Sequence, residues 1–173
     1  SGWTDTDGDG YVDKDGEKLS INWLTYPTRL EQPKLAEYAQ ATLKDIGIDV
    51  QVNNTSDHRT FAENGDFDVY VSSTTTAPTG DPEYFFTSTV VGSKNYGKYQ
   101  NDEVTKLTEK LHQTFDKDER GKLAVELQQD ILDDDAFFFV SHLNMGIVTK
   151  SNVKGMAAHP CDYYEITADL DVE

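Results

Sequence analysis

Cysteine is nearly missing from these 173 residues. Cys161 stands alone, so no internal disulfide can form. No apolar run approaches the ~20 residues that a membrane-spanning helix needs. Basic residues are few: 15 Lys and Arg against 32 Asp and Glu leave a net charge of −17. That excess argues against nucleic acid and an anionic membrane surface as partners. It suits a solvated surface that attracts cations without selectivity. There is no Ser-His-Asp motif, no HExxH, no phosphate-cradling Gly-rich loop and no CxxC pair, so nothing marks an enzyme. No internal repeat or low-complexity block is present. No signal peptide is visible, and the opening Ser1-Gly2 reads as a cut boundary, which leaves room for a leader cut away upstream.

What is present is an alternation of strand and helix patterns, on a length that suits one well-packed domain or one lobe of something larger. Leu19, Ile21 and Trp23 alternate with Ser20 and Asn22, which predicts a strand broken at Thr25-Tyr26-Pro27. Pro33 fits a first helical turn, and Leu35, Tyr38, Ala39, Leu43 and Ile46 follow at helical spacing until Gly47. Ile48, Val50 and Val52 predict a second strand, His58 to Asn64 a short helix or loop, and Phe67 to Val71 a third strand. This order predicts an α/β fold with a mostly parallel sheet, whose ligand loops follow the strand ends. The loop after the third strand reads SSTTTAPTGDPEYF. Val104, Leu107, Leu111 and Phe115 form the stripe of a further helix. Asp116 and Glu119 make a capping box for the next, with Leu123, Leu127 and Ile131 on its core face and Asp133 to Asp135 at its end. Ala136 to Val140 predicts an apolar strand, with Ile147 and Val148 on its partner. Residues 151–173 read as mostly irregular, anchored by Tyr163, Tyr164 and Ile166.

The opening GWTDTDGDGYVDKDGEKL admits three readings. Asp5, Asp7 and Asp9 have calcium-loop spacing, Gly10 sits at the sharp turn, Tyr11 would offer its carbonyl and Asp13 a water-bridged contact. The twelfth position, which needs a bidentate acid, is Gly16, and only four residues precede the loop, so an EF-hand does not fit. A single calcium loop of another kind remains open. The simplest reading is a Gly/Asp turn leading into the strand at Leu19.

That stretch, GWTDTDGDGYVDKDGEKLSINWLTYP, resembles extracellular solute-binding proteins of ABC importers, the peptide/nickel family (family 5). The resemblance continues in order through LAEYAQATLKDIGIDVQV, GDFDVYV, GDPEYFF, YQNDEVTKLTEKL, DERGKLAVELQQDIL and FFFVSHLNMGIVTKSNVKG. It implies one lobe of a periplasmic-binding-protein-like (type II) fold, a mixed, mostly parallel sheet with flanking helices. Residues 1–173 would be the C-terminal lobe: an acidic turn over 1–17, an α/β core over 18–135, and closing strands and tail over 136–173 that return toward a missing N-terminal lobe. The resemblance implies no catalytic residues and no required cofactor.

Within that family the loop after Val71 discriminates ligands. Peptide-binding members commonly carry a Trp there and an Asp that pairs with the peptide ammonium. Registered on Asp81-Pro82, those positions fall near Thr75 and on Pro78, so neither side chain is present. Ala77-Pro78-x-x-Asp81-Pro82 and the closing HLNMGIVTKSNVKGMAAHPCDYYEIT resemble the nickel-binding branch, which takes nickel on a small chelator. Lys94 stands where some nickel binders place a His. The implied ligand contacts are Thr75, Thr76, Pro78, Thr79, Tyr84, His142 and His159. The acidic set Asp5, Asp7, Asp9, Tyr11 and Asp13 would hold calcium if it holds anything. His58 and His112 read as surface residues, and Asp81 as a helix cap with Pro82 at the first helical position. The implied role is capture of a nickel chelate or similar small ligand outside the membrane, in the periplasm or from a lipid anchor, and delivery to the permease subunits. Oligopeptide binding, or a calcium-stabilised extracellular interaction module, are the rival readings.

Overall fold

Two short strands open the chain instead of a plain turn. In the computed structural model, which describes residues 2–74, 77, 79–144, 146–158 and 166–173, β1 (Asp13–Lys14) pairs antiparallel with β2 (Glu17–Lys18). Asp15-Gly16 between them is a favoured two-residue hairpin turn. The described chain divides into two compact units, residues 1–73 and 74–173.

The first unit is built on β3 (Ser20–Thr25), which carries β4 (Asp49–Asn54) on one side and β5 (Val69–Tyr70) on the other, all parallel. The crossovers between these parallel strands are helical, as the sequence predicts: α1 (Glu31–Lys44) and α2 (His58–Asn64). The core takes Leu24 and Val50 from the sheet and Ala36 and Ala62 from the helices. Gln40 Nε2 ties α1 to β4 by donating to the Val50 carbonyl at 2.7 Å. Tyr38 and Ile46, expected on the inner face of α1, are exposed. The face that packs carries Gln32 and Ala36, both buried, with Leu35, Ala39 and Leu43 of the predicted stripe half-buried beside them. Val52 is exposed as well, and the third strand is two residues long.

Gly47 ends α1 at φ 79° and its carbonyl accepts from Val12 N at 2.7 Å, which seats the acidic opening on the sheet. A Cβ at Gly47 would lie 2.9 Å from Val12 Cγ1 and 3.2 Å from Val12 N. Left-handed backbone costs a non-glycine residue roughly 1–2 kcal/mol, and the clash adds to it. Gly47→Ala is therefore expected to lower stability by about 2 kcal/mol in a denaturant titration. An unchanged midpoint would show that Val12 moves away freely.

The second unit is helical. α3 (Glu83–Phe85) runs into a π-helical turn, Phe86–Val90, followed by α4 (Asp102–Gln113) and α5 (Lys117–Asp133). Phe86, Val90, Val104, Leu111, Leu123, Ala124, Leu127 and Ile131 form its core. The predicted faces of α4 and α5 are confirmed except at Phe115, which is 93% exposed. α4 ends at Gln113, so Phe115 falls off its periodic face. Asp116 caps α5 as expected, accepting from Glu119 N at 2.9 Å. Asn101 caps α4 and also donates to Asp134, which Tyr99 Oη bonds too. Burial and the Asp134 carboxylate push the Tyr99 phenol up to about 12.

The two closing strands do not form. Residues 136–140 and 147–148 are irregular, with Phe138 89% and Val148 96% exposed. Their composition is that of strands, but a strand exists only by pairing, and neither segment meets a partner edge among the described residues. Ala136 and Phe137 pack on the helical core. Ile166, expected as an anchor, is exposed, and Tyr163 and Tyr164 lie outside the described residues. A small antiparallel pair, β6 (Val153–Lys154) with β7 (Asp171–Val172), stands in the segment expected to be irregular. Among the described residues no helix is long and apolar enough to cross a membrane.

Candidate functional site

The Asp-Pro motif is fixed from below by one arginine. Arg120, near the start of α5, is only 15% exposed at its side chain. Its Nη1 donates to the carbonyls of Leu111 and Thr114, both at 2.7 Å, and so closes the C-terminus of α4. Its Nη2 donates to both oxygens of Asp81, at 2.7 and 2.8 Å, and to Glu83 at 2.9 Å. Glu83 also pairs with His112. Asp81 in turn accepts from Glu83 N at 2.8 Å. Asp81 thus caps, as expected, but the helix begins at Glu83, one residue past Pro82. Burial pushes both carboxyls up. It is outweighed at Asp81 by the Glu83 N–H and Arg120, and at Glu83 by His112 and Arg120, so both titrate below the usual range.

Above this base the chain doubles back. Val91 N donates to Phe86 O, closing the wide turn, and Lys94 N donates to Ser88 O at 2.9 Å. Gly92 permits the reversal, since a Cβ there would lie 1.9 Å from Thr87 O. Lys94 is thereby returned to Tyr84: Nζ lies 5.5 Å from the ring centroid and donates to the hydroxyl at 3.3 Å. Tyr84 is partly exposed and Lys94 is exposed. The pair presents an aromatic face with a fixed cation at its rim.

The other predicted contacts scatter. Thr79 is exposed beside the turn in which Gly80 N bonds Ala77 O. His142 is exposed on an irregular segment. Thr75, Thr76, Pro78 and His159 lie outside the described residues, as does Cys161. His58 is a correction: it opens α2, is half-buried and stacks on Tyr26, so it is no free surface side chain. Sequence reasoning misses Arg120, because its carboxylate partners lie 37 and 39 residues away. No local signal singles it out, since Lys117 and Lys122 flank it on the same helix.

In the acidic opening, Asp5, Asp7 and Asp13 bring ligand-type oxygens within 4.8 Å of one another. The two remaining members are occupied otherwise. Asp9 pairs with Lys18, whose hydrogen bond holds its carboxyl below the usual range, and the Lys18 ammonium also lies 4.4 Å over the Tyr11 ring. Asp5 accepts from Gly8 N and Gly10 N, and Asp13 from Thr6 N and Thr6 Oγ1. The loop therefore satisfies its own backbone, as a Gly/Asp turn does.

Comparison with known proteins gives these features a setting. Residues 1–97 match the family described as bacterial extracellular solute-binding proteins, family 5 Middle. The oligopeptide-binding protein AppA of Bacillus subtilis is 30% identical over 172 residues, covering 96% of this chain and 32% of that protein. The nickel-binding protein NikA of Staphylococcus aureus is 26% identical over 95% of this chain and 34% of its own length. The structure of NikA from Staphylococcus aureus in complex with Ni(L-His)2, 24% identical over 90% of this chain and 34% of that one, has a TM-score of 0.71. The structure of a nickel ABC transporter protein from Bacillus halodurans, 30% identical over 78% of this chain and 28% of that one, gives 0.64. The chain thus spans about a third of the length of the curated relatives it matches. These neighbours share the type II periplasmic-binding-protein fold expected from the sequence.

Proposed function

The chain belongs to the bacterial extracellular solute-binding proteins of family 5, and on that premise we propose that it is one lobe of the substrate-binding component of an ABC importer. Its ligand is a nickel chelate or a similar small ligand, taken up outside the membrane between two lobes and passed to the permease. Residues 1–173 furnish the C-terminal lobe, and the N-terminal lobe supplies the other half of the cleft. The relatives themselves divide between oligopeptide and nickel, so overall similarity does not choose between them.

The loop carries the choice. From Val71 to Gly80 it has no acidic residue, the two acids that follow, Asp81 and Glu83, are already paired with Arg120, and Tyr84 and Lys94 offer a ring and a cation. An ammonium enclosed without a counter-charge is costly, whereas a chelate's carboxylates meet Lys94 favourably. A peptide's carboxylate would also meet Lys94, so the missing acid is the discriminating feature. The oligopeptide reading keeps its support from the 30% identity to AppA. The interaction-module reading loses its main support, since its acidic stretch lies within the family match.

Capture requires that the ligand favour the closed state, because equal affinity for open and closed forms shifts nothing. A melting screen of the full-length protein tests the reading, with nickel alone, nickel plus L-histidine, and mixed oligopeptides, each with and without calcium. Nickel with the chelator is expected to raise the midpoint, since a ligand at 100 times its Kd adds roughly 2.7 kcal/mol. A shift with peptides and none with nickel would make this an oligopeptide-binding lobe.

A further inference from the structure

All three parallel strands of the first unit end at the same edge, and three aromatic side chains meet there. Tyr26 follows β3 directly and is buried. His58 lies four residues beyond β4, at the first turn of α2. Tyr70 ends β5. The Tyr26 and His58 rings stack at 4.1 Å between centroids with 22° between planes. His58 Nδ1 and Tyr70 Oη lie 2.6 Å apart, within hydrogen-bond distance. Burial first, then the neighbouring Arg59 charge, lowers the His58 pKa, so the stack holds a neutral imidazole at pH 7. The Tyr26 hydroxyl accepts from Ser73 N at 3.0 Å.

That last bond lies beyond the sheet. Val71 N still donates to Leu24 O, and Ser73 is the next alternate residue, where β3 has no further carbonyl to offer. Tyr26 Oη takes its place and so fixes the point at which the chain leaves the sheet, ahead of the loop that runs on to Asp81. Carboxyl ends of parallel strands are where open α/β sheets bind ligands. We propose that Tyr26 is a positioning residue for ligand capture: it anchors the start of the ligand loop, and His58, held by Tyr70, fixes the Tyr26 ring. This rests on the transport reading above. None of the three need touch the ligand.

Tyr26→Phe removes the acceptor and keeps the stack. In the full-length protein it is expected to weaken the affinity for nickel with L-histidine, or for oligopeptides if those are the probe that binds, by about fivefold to tenfold, the worth of one hydrogen bond. The melting point should move little. His58→Ala should reproduce the loss, and His58→Phe, which keeps a ring on Tyr26, should recover most of it. Amide exchange at Ser73 should quicken in Tyr26→Phe while Val71 stays protected. Unchanged affinity in Tyr26→Phe would overturn the proposal, as would a fall in melting point with affinity intact, since that is a structural role alone. If the wild type binds neither probe, the transport reading fails, and Ser73 exchange then decides this one: faster in Tyr26→Phe upholds the anchor, unchanged refutes it.

Discussion

Replacing Arg120 with Ala is expected to lower stability by roughly 2–4 kcal/mol, somewhat below the 3–5 kcal/mol typical when a buried ion pair loses one member. The reduction reflects Asp81, whose side chain is 41% exposed and so partly rehydrates. Four acceptor groups lose their donor together: Leu111 O, Thr114 O, Asp81 and Glu83. For a domain of this size the melting point should fall on the order of 8 °C. Arg120→Lys keeps the charge but cannot span two carbonyls and two carboxylates, so it should fall between. A melting point within a degree of wild type for Arg120→Ala would reduce the network to a solvated surface cluster.

The same network sets an acid limit. Asp81 and Glu83 titrate lower folded than unfolded. Their stabilising contribution is therefore complete above the ordinary carboxylate values, about 3.9 and 4.3, and is lost as pH falls through the lower folded values. The gap between wild type and Arg120→Ala should be constant from pH 7 to about pH 5 and narrow below about pH 4. A gap that widens in acid would show that the pairing has been assigned the wrong sign.

Phe86→Ala should cost about as much by a different route. Phe86 is 2% exposed and the largest side chain fully inside the helical core, with Phe85 edge-on at 5.7 Å. Truncation removes the transfer free energy of the ring and leaves a cavity, together about 3–5 kcal/mol. Because Phe86 opens the wide turn that returns Lys94 to Tyr84, ligand affinity should drop with it, measured on protein still folded at low temperature. A loss under about 1.5 kcal/mol would mean that Val90, Leu111 and Leu127 close over the space. The change is independent of pH, which separates it from Arg120→Ala.

Much of this molecule is local, and what is local is readable. The strand at Ser20–Thr25, helices α1, α4 and α5, the cap at Asp116 and the core line Leu123, Leu127, Ile131 follow from period, propensity and capping chemistry, which act within a few residues. So does the parallel order, since long crossovers permit little else. The acidic excess, 32 Asp and Glu against 15 Lys and Arg, is likewise a property of composition and needs no fold to be read. Whether an apolar stretch becomes a strand depends on a partner edge, so the residues of Ala136 to Val140 do not settle their own conformation. Which turn of α1 faces the sheet depends on packing, so Tyr38 and Ile46 are exposed despite their spacing. The candidate site is the least legible part. Arg120 meets Asp81 across 39 residues, Tyr26 meets Ser73 across 47, and Lys94 reaches Tyr84 only through the reversal at Gly92. Sequence determined the long helices and the strands of the parallel sheet, because their physics is short-ranged; the tertiary structure alone decided which other stretches pair as strands and which side chains meet, because those contacts depend on where the elements come to rest.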